Sequence, residues 1–177
     1  MTRVRVGLIA DTHGLLRDAV AQVFRGVSLI VHAGDVGPMS VLDRLGAIAP
    51  VVAVFGNVDD PYNPRLAPAR TLPVGPLHLR VSHGHELGSP NPARLADAYA
   101  DGSIDIIMFG HTHRSVVVTE SRAGRDVLIV NPGAAGPKRF SLPASVGLLT
   151  VTCEDRAGDQ PLSRDAATAQ VEIREID

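Results

Sequence analysis

The chain has 177 residues, a net charge of −2 and a single cysteine, Cys153, so one domain spanning residues 1–177 is the simplest organisation and an intrachain disulfide is excluded. The near-neutral charge argues against a broad nucleic-acid-binding surface, although it does not exclude a small phosphate-bearing substrate. Because the sequence has no apolar run of about 18 residues and no apolar core typical of a signal peptide, we expect a cytoplasmic protein that does not enter a membrane.

Apolar, β-branched runs alternate with helical patterns through the first two thirds of the chain. Five runs are typical of buried strands and cover residues 4–10, 29–31, 51–55, 77–81 and 104–109. Apolar side chains at helical spacing predict helices over residues 15–24, 39–48 and 94–100. The proline-rich residues 59–76 predict an irregular surface segment. The alternation predicts an α/β fold with crossover connections and a largely parallel sheet.

The last third of the chain has a different pattern. Residues 116–120 and 127–130 flank a glycine-containing turn and predict a β-hairpin, and residues 146–152 predict a further strand. Residues 154–170 are polar and predict an exposed loop. Residues 171–176 alternate apolar and charged side chains, as an edge strand would. Such an edge could pair between chains in a homo-oligomer.

Each of the five apolar runs is followed by a loop that carries side chains able to bind a metal ion. These are Asp11, His13, Asp35, Asn57, His83, His111 and His113. Open α/β sheets place their chemistry in loops at strand ends, so we expect these side chains to meet. A nitrogen and oxygen set without sulfur suits manganese, iron, cobalt, nickel or zinc. Seven ligands are too many for one catalytic ion and fit two ions that share a carboxylate, an arrangement that serves phosphoryl transfer.

The same loops resemble the ordered motifs of the calcineurin-like metallophosphoesterase superfamily. The matching segments are Asp11-Thr12-His13, Gly34-Asp35, Gly56-Asn57, His83-Gly84-His85 and Gly110-His111-Thr112-His113. The short chain and its Asn131-Pro132-Gly133 segment resemble the YfcE-like small phosphodiesterase branch of this superfamily, which also includes the retromer subunit Vps29. The resemblance covers residues 4–150.

This resemblance implies a four-layer α/β/β/α sandwich with mixed sheets and a site for two divalent metal ions. Manganese is the first expectation, with nickel, cobalt, iron or zinc as alternatives. By resemblance, the first ion would be held by Asp11, His13, Asp35 and His113. The second would be held by Asp35, Asn57, His83 and His111, with Asp35 as the bridge. The implied activity is a phosphoesterase, above all a phosphodiesterase, in which a hydroxide bridging the ions breaks a P–O bond of a small phosphoester substrate.

Several of these residues have simpler alternative roles. Asp11 could cap the first helix, and Asn57 could form a plain turn. His85 could contact the substrate or orient a metal ligand, and Asp59 could orient a histidine or only stabilise its loop. The residues expected to serve catalysis are Asp35, Asn57, His85 and Asp59.

Two residue groups outside the ligand set are expected to be structural. His32 lies inside its strand and is expected to be a hydrogen-bonded core residue. Asn131-Pro132-Gly133 is most simply a tight turn, and the resemblance suggests that it packs beside the loop of His111 and His113.

Val58 departs from the pattern of the superfamily. Many members have a histidine directly after the metal-binding asparagine, where it assists the leaving group, and the small branch usually has cysteine there. Valine cannot donate a proton, and general acid catalysis is typically worth about 10²–10⁴-fold. We therefore expect modest turnover that favours good leaving groups such as aryl phosphates.

Two alternatives to a phosphodiesterase stay open. One is a non-catalytic or weakly catalytic metal-binding scaffold of the Vps29 type, in which the fold offers binding surfaces. The retention of all seven ligands favours the enzyme over this scaffold. The other alternative is a phosphomonoesterase or dinucleotide-polyphosphate hydrolase, which only the shape of the pocket would distinguish.

Overall fold

Two five-stranded sheets form the centre of the fold in the computed structural model, which describes residues 1–122, 124–138, 141–154 and 163–176. Three α-helices cover the outer faces of these sheets. Their bounds are Asp18–Val23 for α1, Ser40–Gly46 for α2 and Pro92–Tyr99 for α3. Two short 3-10 turns span His85–Leu87 and Arg164–Ala166.

The first sheet joins the two ends of the chain. Its strands are β1 (Thr2–Ile9), β2 (Leu29–His32), β3 (Val51–Ala53), β9 (Ser145–Cys153) and β10 (Ala167–Glu175). They lie in the order β10-β9-β1-β2-β3. The strands β1, β2 and β3 are parallel and are connected through α1 and α2, whereas β9 is antiparallel to both β1 and β10.

The second sheet is built from the middle of the chain. Its strands are β4 (Ala69–Val74), β5 (Leu77–Ser82), β6 (Ile106–Met108), β7 (Val116–Arg122) and β8 (Arg125–Asn131). They lie in the order β4-β5-β6-β8-β7. The strands β5, β6 and β8 are parallel, and the edge strands β4 and β7 are antiparallel to their neighbours.

Three apolar clusters hold these layers together. Successive side chains of a strand point to opposite faces, so each buried strand contributes to two clusters. In β1, Leu8 packs between the two sheets, whereas the next residue, Ile9, packs against α1 and α2. In β6, Ile106 points between the sheets and Ile107 packs under Leu95 of α3. The resulting order of helices, sheet, sheet and helix confirms the predicted α/β/β/α sandwich.

The structure corrects three predictions made from residue patterns. As many strand pairs are antiparallel as parallel, so the expectation of a largely parallel sheet was wrong, and the mixed sheets implied by the resemblance are correct. Residues 59–76 include the strand β4, which tolerates Pro73 because it lies at a sheet edge. The predicted loop at 154–170 overlaps β10 from Ala167 onward, and its residues 155–162 lie outside the described residues.

The remaining elements agree closely with the sequence patterns. The helix α1 begins at Asp18, three residues later than predicted, because the preceding residues form the loop after β1. The hairpin of β7 and β8 is present, and β10 is an edge strand as predicted. The longest described helix, α3, has eight residues, and no helix in the described ranges is long and apolar enough to cross a membrane.

Candidate metal centre

The seven predicted metal ligands meet where parallel strands of both sheets end. The first sheet supplies residues that follow β1, β2 and β3, namely Asp11, His13, Asp35 and Asn57. The second sheet supplies residues that follow β5 and β6, namely His83, His111 and His113. The candidate centre therefore lies at the seam between the two sheets.

Four of these side chains form a first group. Asp11, His13, Asp35 and His113 each offer one ligand atom, and these atoms all lie within 4.8 Å of one another. Nε2 of His113 lies 3.3 Å from Oδ1 of Asp11 and 3.3 Å from Nε2 of His13. Nε2 of His13 lies 3.8 Å from Oδ2 of Asp35. Two imidazole nitrogens and two carboxylate oxygens thus face a common point.

A second group surrounds the other oxygen of Asp35. Nε2 of His83 lies 3.4 Å from Oδ1 of Asp35 and 3.2 Å from Oδ1 of Asn57. Nδ1 of His111 lies 3.0 Å from the same oxygen of Asn57. The two groups of side chains match the two ligand sets implied by the resemblance, and they have only Asp35 in common.

Asp35 is an ionised carboxylate between the two groups. Its side chain is buried, which by itself would raise its pKa. The hydrogen bond and charge of His83 and the hydrogen bond from the backbone N–H of Val58 outweigh burial, and they lower the pKa from its ordinary 3.8 to about 2. This backbone N–H donates to Oδ1 of Asp35 over 3.1 Å. The carboxylate therefore stays negative at neutral pH, as a bridging ligand must.

The backbone at the ligands is in a conformation that side chains rarely adopt. Among the described residues, those other than glycine with a positive φ are Asp11, His13, Asp35, His111 and His113, and all five are predicted ligands. Each such residue costs on the order of 1–3 kcal/mol, and such strain persists where the surroundings impose it and clusters at functional sites. Backbone bonds between neighbouring loops impose it here, since N–H of Asp11 donates to Gly34 and N–H of His13 donates to Asp35.

Two glycines allow the loops to approach this closely. A Cβ at Gly56 would overlap with the carboxylate of Asp35. A Cβ at Gly34 would lie 2.7 Å from Nδ1 of His83, and this glycine also has a φ of +92°. Both positions therefore require glycine for the ligands to converge.

His83 is oriented by a backbone carbonyl. Its Nδ1 lies 2.7 Å from the carbonyl oxygen of Ala33, to which an Nδ1–H would donate, and this leaves Nε2 facing Asp35 and Asn57. Burial lowers the pKa of His83, but the hydrogen bond to Asp35 and the charges of Asp11 and Asp35 outweigh it and raise the pKa above its ordinary value. For His111, burial and the neighbouring His83 lower the pKa.

Asp59 joins the loops that carry Asp35 and Asn57. Its carboxylate accepts hydrogen bonds from the backbone N–H groups of Val36, Gly37 and Gly56, at 3.0, 3.0 and 2.8 Å. These contacts support the predicted alternative in which Asp59 stabilises its loop. They place the residue behind the ligands, where it fixes one loop relative to the next.

His32 and Asn131 hold the backbone of the ligand loops from within the core. His32 is fully buried, its Nδ1 accepts from N–H of Gly34, and its Nε2 lies 2.9 Å from the hydroxyl of Thr12. Because burial disfavours the charged ring, the pKa of His32 falls to about 4. The side-chain amide of Asn131 donates to Thr112 and to the carbonyl of Gly110, so it does pack beside the loop of His111 and His113.

His85 and Val58 lie at the rim of the centre. The ring centroid of His85 is 5.3 Å from that of His83 and 6.3 Å from that of His111, and the side chain is 28% exposed. Val58 is 59% exposed, and its backbone N–H donates to Asp35. A donor side chain at position 58 would have open space around it.

Glu86 contacts the turn between His83 and His85, although no role was predicted for it from the sequence. Its carboxylate accepts from the backbone N–H of Gly84 and from the hydroxyl of Tyr99. The position of an acidic residue directly after His85 was the signal that could have pointed to this role. It did not predict the contact with Tyr99, which lies on a helix thirteen residues further along the chain.

The residues of the centre fit divalent metal ions. Oδ2 of Asp11 is buried and has no hydrogen-bond partner among the described residues, which is costly for a carboxylate oxygen unless a cation is close. The close pair of imidazole nitrogens from His13 and His113 would share such a cation. Imidazole nitrogens with carboxylate and amide oxygens are donors suited to manganese, iron, cobalt, nickel and zinc.

Comparisons with known proteins agree with this geometry. Residues 4–154 match the calcineurin-like phosphoesterase superfamily domain. A probable metallophosphoesterase of Methanocaldococcus jannaschii is 32% identical over 159 residues, which cover 85% of this chain and 77% of that protein. A phosphodiesterase of the same organism is 25% identical over 164 residues, which cover 82% of this chain and 92% of that protein. The structure of vacuolar protein sorting 29 (Vps29) from Cryptosporidium parvum has the same fold, with a TM-score of 0.73 and 19% identity over 99% of this chain and 100% of that one.

Proposed function

This chain belongs to the calcineurin-like phosphoesterase superfamily, and from that premise we propose that it is a phosphodiesterase with a dinuclear metal centre. The observation that carries the proposal is the position of Asp35, whose two carboxylate oxygens face two separate groups of nitrogen and oxygen ligands. A single carboxylate placed in this way serves two ions and leaves three further ligands for each.

Two divalent ions held by these groups would activate a water molecule and shield the charge of a phosphoryl group. Asp35 would fix the distance between the two positions, and Asn57 would offer its side-chain oxygen to the second. His85, at the rim, would contact a phosphoryl oxygen and stabilise the charge that develops there. Asp59 would serve the reaction indirectly, because it holds the loops of Asp35 and Asn57 together.

One observation supports a diester substrate, and a second supports a good leaving group. The relative from Methanocaldococcus jannaschii that is 25% identical is named a phosphodiesterase. In addition, Val58 offers no proton donor beside the centre, so substrates whose leaving group departs unaided are favoured. We therefore propose small aryl phosphodiesters as the substrates that reveal the activity, and manganese as the metal that supports it.

A panel assay tests this proposal. The protein is stripped of metal and reloaded with Mn²⁺, Co²⁺, Ni²⁺, Zn²⁺ or Mg²⁺, and metal content is measured for each sample. Each form is then assayed with bis-p-nitrophenyl phosphate, p-nitrophenyl phosphate and cyclic nucleotides. We expect about two ions per chain and the highest rate on the diester with Mn²⁺. Absence of hydrolysis across the panel, with two ions bound, would overturn the proposal.

The second candidate function is a metal-binding scaffold of the Vps29 type. It is favoured by the fold shared with Vps29 along nearly the whole chain and by the valine at position 58. All seven ligand positions are retained, which favours the enzyme. The panel assay separates the two, because a scaffold would bind metal without hydrolysing any of the esters.

Two further parts of the proposal concern the setting of the protein. We place it in the cytoplasm, acting on a small phosphoester and on neither a membrane nor an extended nucleic acid. The edge strand β10 offers a row of backbone groups for pairing with a second copy. Light scattering of the purified protein would establish whether a homo-oligomer forms.

A further inference from the structure

Glu86 ties the turn that carries His83 and His85 to the second sheet's helix. One carboxylate oxygen, Oε2, accepts from the backbone N–H of Gly84 over 2.9 Å. The other, Oε1, accepts from the hydroxyl of Tyr99 over 2.7 Å. Because Tyr99 is the last residue of α3, a packed element of the core fixes where the carboxylate lies.

The same carboxylate faces one nitrogen of His85. Oε2 of Glu86 lies 3.7 Å from Nδ1 of His85. This nitrogen is buried and has no hydrogen-bond partner among the described residues, whereas the side chain as a whole is 28% exposed. The exposed part of the side chain therefore lies away from Nδ1, and Nε2 is the ring nitrogen left to face a ligand. A small rotation would bring Nδ1 within hydrogen-bond distance of Glu86, and contacts of this kind often tighten only when a ligand is bound.

Glu86 is well suited to hold a histidine because it stays ionised. Burial raises its pKa, but the hydrogen bond from Tyr99 and further hydrogen bonds outweigh burial and lower the pKa below its ordinary value. A negative carboxylate next to Nδ1 favours a hydrogen on that nitrogen and fixes the plane of the ring.

We propose that Glu86 is a positioning residue that holds Nδ1 of His85 and thereby directs Nε2 of His85 toward a phosphoryl oxygen at the metal centre. This inference rests on the proposed function, since it takes a phosphoryl group as the ligand of the centre. It gives His85 an orienting partner comparable to the carbonyl of Ala33 that orients His83.

Three variants isolate this role. In Glu86→Gln the amide oxygen can accept from Gly84 and the amide nitrogen can donate to the hydroxyl oxygen of Tyr99, so the turn keeps its support while the charge is removed. His85→Ala removes the positioned ring. The matched control is Asp97→Asn. It removes a carboxylate from α3, the helix of Tyr99, at a position that pairs with Arg122 at 2.7 Å and lies away from the turn.

The experiment measures phosphate binding and does not depend on turnover. Each protein is loaded with Co²⁺, its cobalt content is determined, and inorganic phosphate is added while the visible absorption of the cobalt is followed. We expect His85→Ala to weaken phosphate binding about tenfold, the size of a lost hydrogen bond to a charged group. Glu86→Gln should weaken it about fivefold, because a charged partner becomes a neutral one. The double variant should bind as weakly as His85→Ala alone, and Asp97→Asn should match the wild type.

Other results would overturn the inference. Unchanged phosphate binding in Glu86→Gln, additive losses in the double variant, or no phosphate binding by the loaded wild type would each do so. Loss of cobalt from Glu86→Gln would also overturn the inference, because it would mean that Glu86 acts on His83 and only supports the turn. If the wild type hydrolysed no ester while the variants showed the expected losses of phosphate binding, the proposed function would be refuted and the role of Glu86 would stand.

Discussion

Oδ1 of Asp35 and Nε2 of His83 lie 3.4 Å apart, although they come from different sheets. Asp35 also faces His13 through its other oxygen, so Asp35→Asn should damage both metal positions at once. We expect phosphodiesterase activity to fall by at least about 10³-fold, because both positions lose a charged ligand. Metal content, measured by mass spectrometry, should fall below one ion per chain.

Asp60→Asn is the control for this substitution. Asp60 is exposed, and its carboxylate accepts from the backbone N–H of Tyr62. Activity and metal content should stay at wild-type values in this control. Full activity of Asp35→Asn with two ions still bound would refute the dinuclear assignment.

Val58→His should restore a proton donor beside the centre. The side chain at this position is 59% exposed, so histidine fits without repacking. We expect kcat on an alkyl phosphodiester to rise by at least about tenfold, a fraction of the about 10²–10⁴-fold that general acids provide. The rate on bis-p-nitrophenyl phosphate should change little, since nitrophenolate leaves without a proton.

Val58→Leu, which adds bulk but no donor, should leave both of these rates near the wild type. If Val58→His gave no gain on the alkyl ester, the missing donor would not be what limits turnover.

Asp59→Ala should destabilise the protein, because three backbone N–H groups lose their shared acceptor. At about 1 kcal/mol for each bond, we expect the free energy of unfolding to fall by about 3 kcal/mol, measured by urea denaturation. Asp59→Asn keeps one acceptor oxygen, so its free energy of unfolding should lie between those of Asp59→Ala and the wild type. Equal stability of all three proteins would show that water replaces the carboxylate without cost.

His32 should make the stability of the metal-free protein depend on pH. Its pKa is about 4 in the folded protein against an ordinary 6.5, so the unfolded chain binds the proton more readily. The contribution of the neutral ring to the free energy of unfolding is complete above pH 6.5, and it is lost as the pH falls from 6.5 toward 4. A shift of this size corresponds to about 3 kcal/mol.

The comparison of wild type with His32→Asn isolates this effect. The variant should be less stable than the wild type at pH 7.5, because the ring no longer joins Thr12 and Gly34. Its stability should also fall less steeply between pH 6.5 and 4, as urea denaturation at several pH values would show. Identical slopes for the two proteins would mean that His32 does not titrate in this range.

The meeting of the seven candidate ligands was predictable because each lies in a loop that follows an apolar run. Asp11 and Asp35 lie in the loops after two strands whose apolar residues mark them as buried, and parallel strands bring their ends to one edge. The strand β4 was not predictable, because Pro73 is typical of irregular segments and only its position at an edge permits it. A largely parallel sheet was the wrong expectation, since strand order depends on distant pairings such as that of β1 with β9.

The contacts that hold the ligand loops in place could be predicted from the sequence only in part. Asp59 was expected either to orient a histidine or to stabilise its loop, but two of its three backbone partners, Val36 and Gly37, lie on a loop that only the fold brings near. The positive φ of His13 and His111 could not be read from residue type, because most histidines have a negative φ even though histidine is enriched in this conformation. Glu86 was missed because its partner Tyr99 lies on a separate helix.

The seam between the sheets has a mechanical consequence. Each ligand group combines residues of the first sheet, such as Asp35, with residues of the second, such as His83 or His113. Ions bound there would act as cross-links between segments far apart in the chain, and they would stabilise the fold because they bind the folded protein in preference to the unfolded chain. Sliding of one sheet against the other would pull directly on the metal–ligand bonds, so the same ions would resist shear of the whole sandwich.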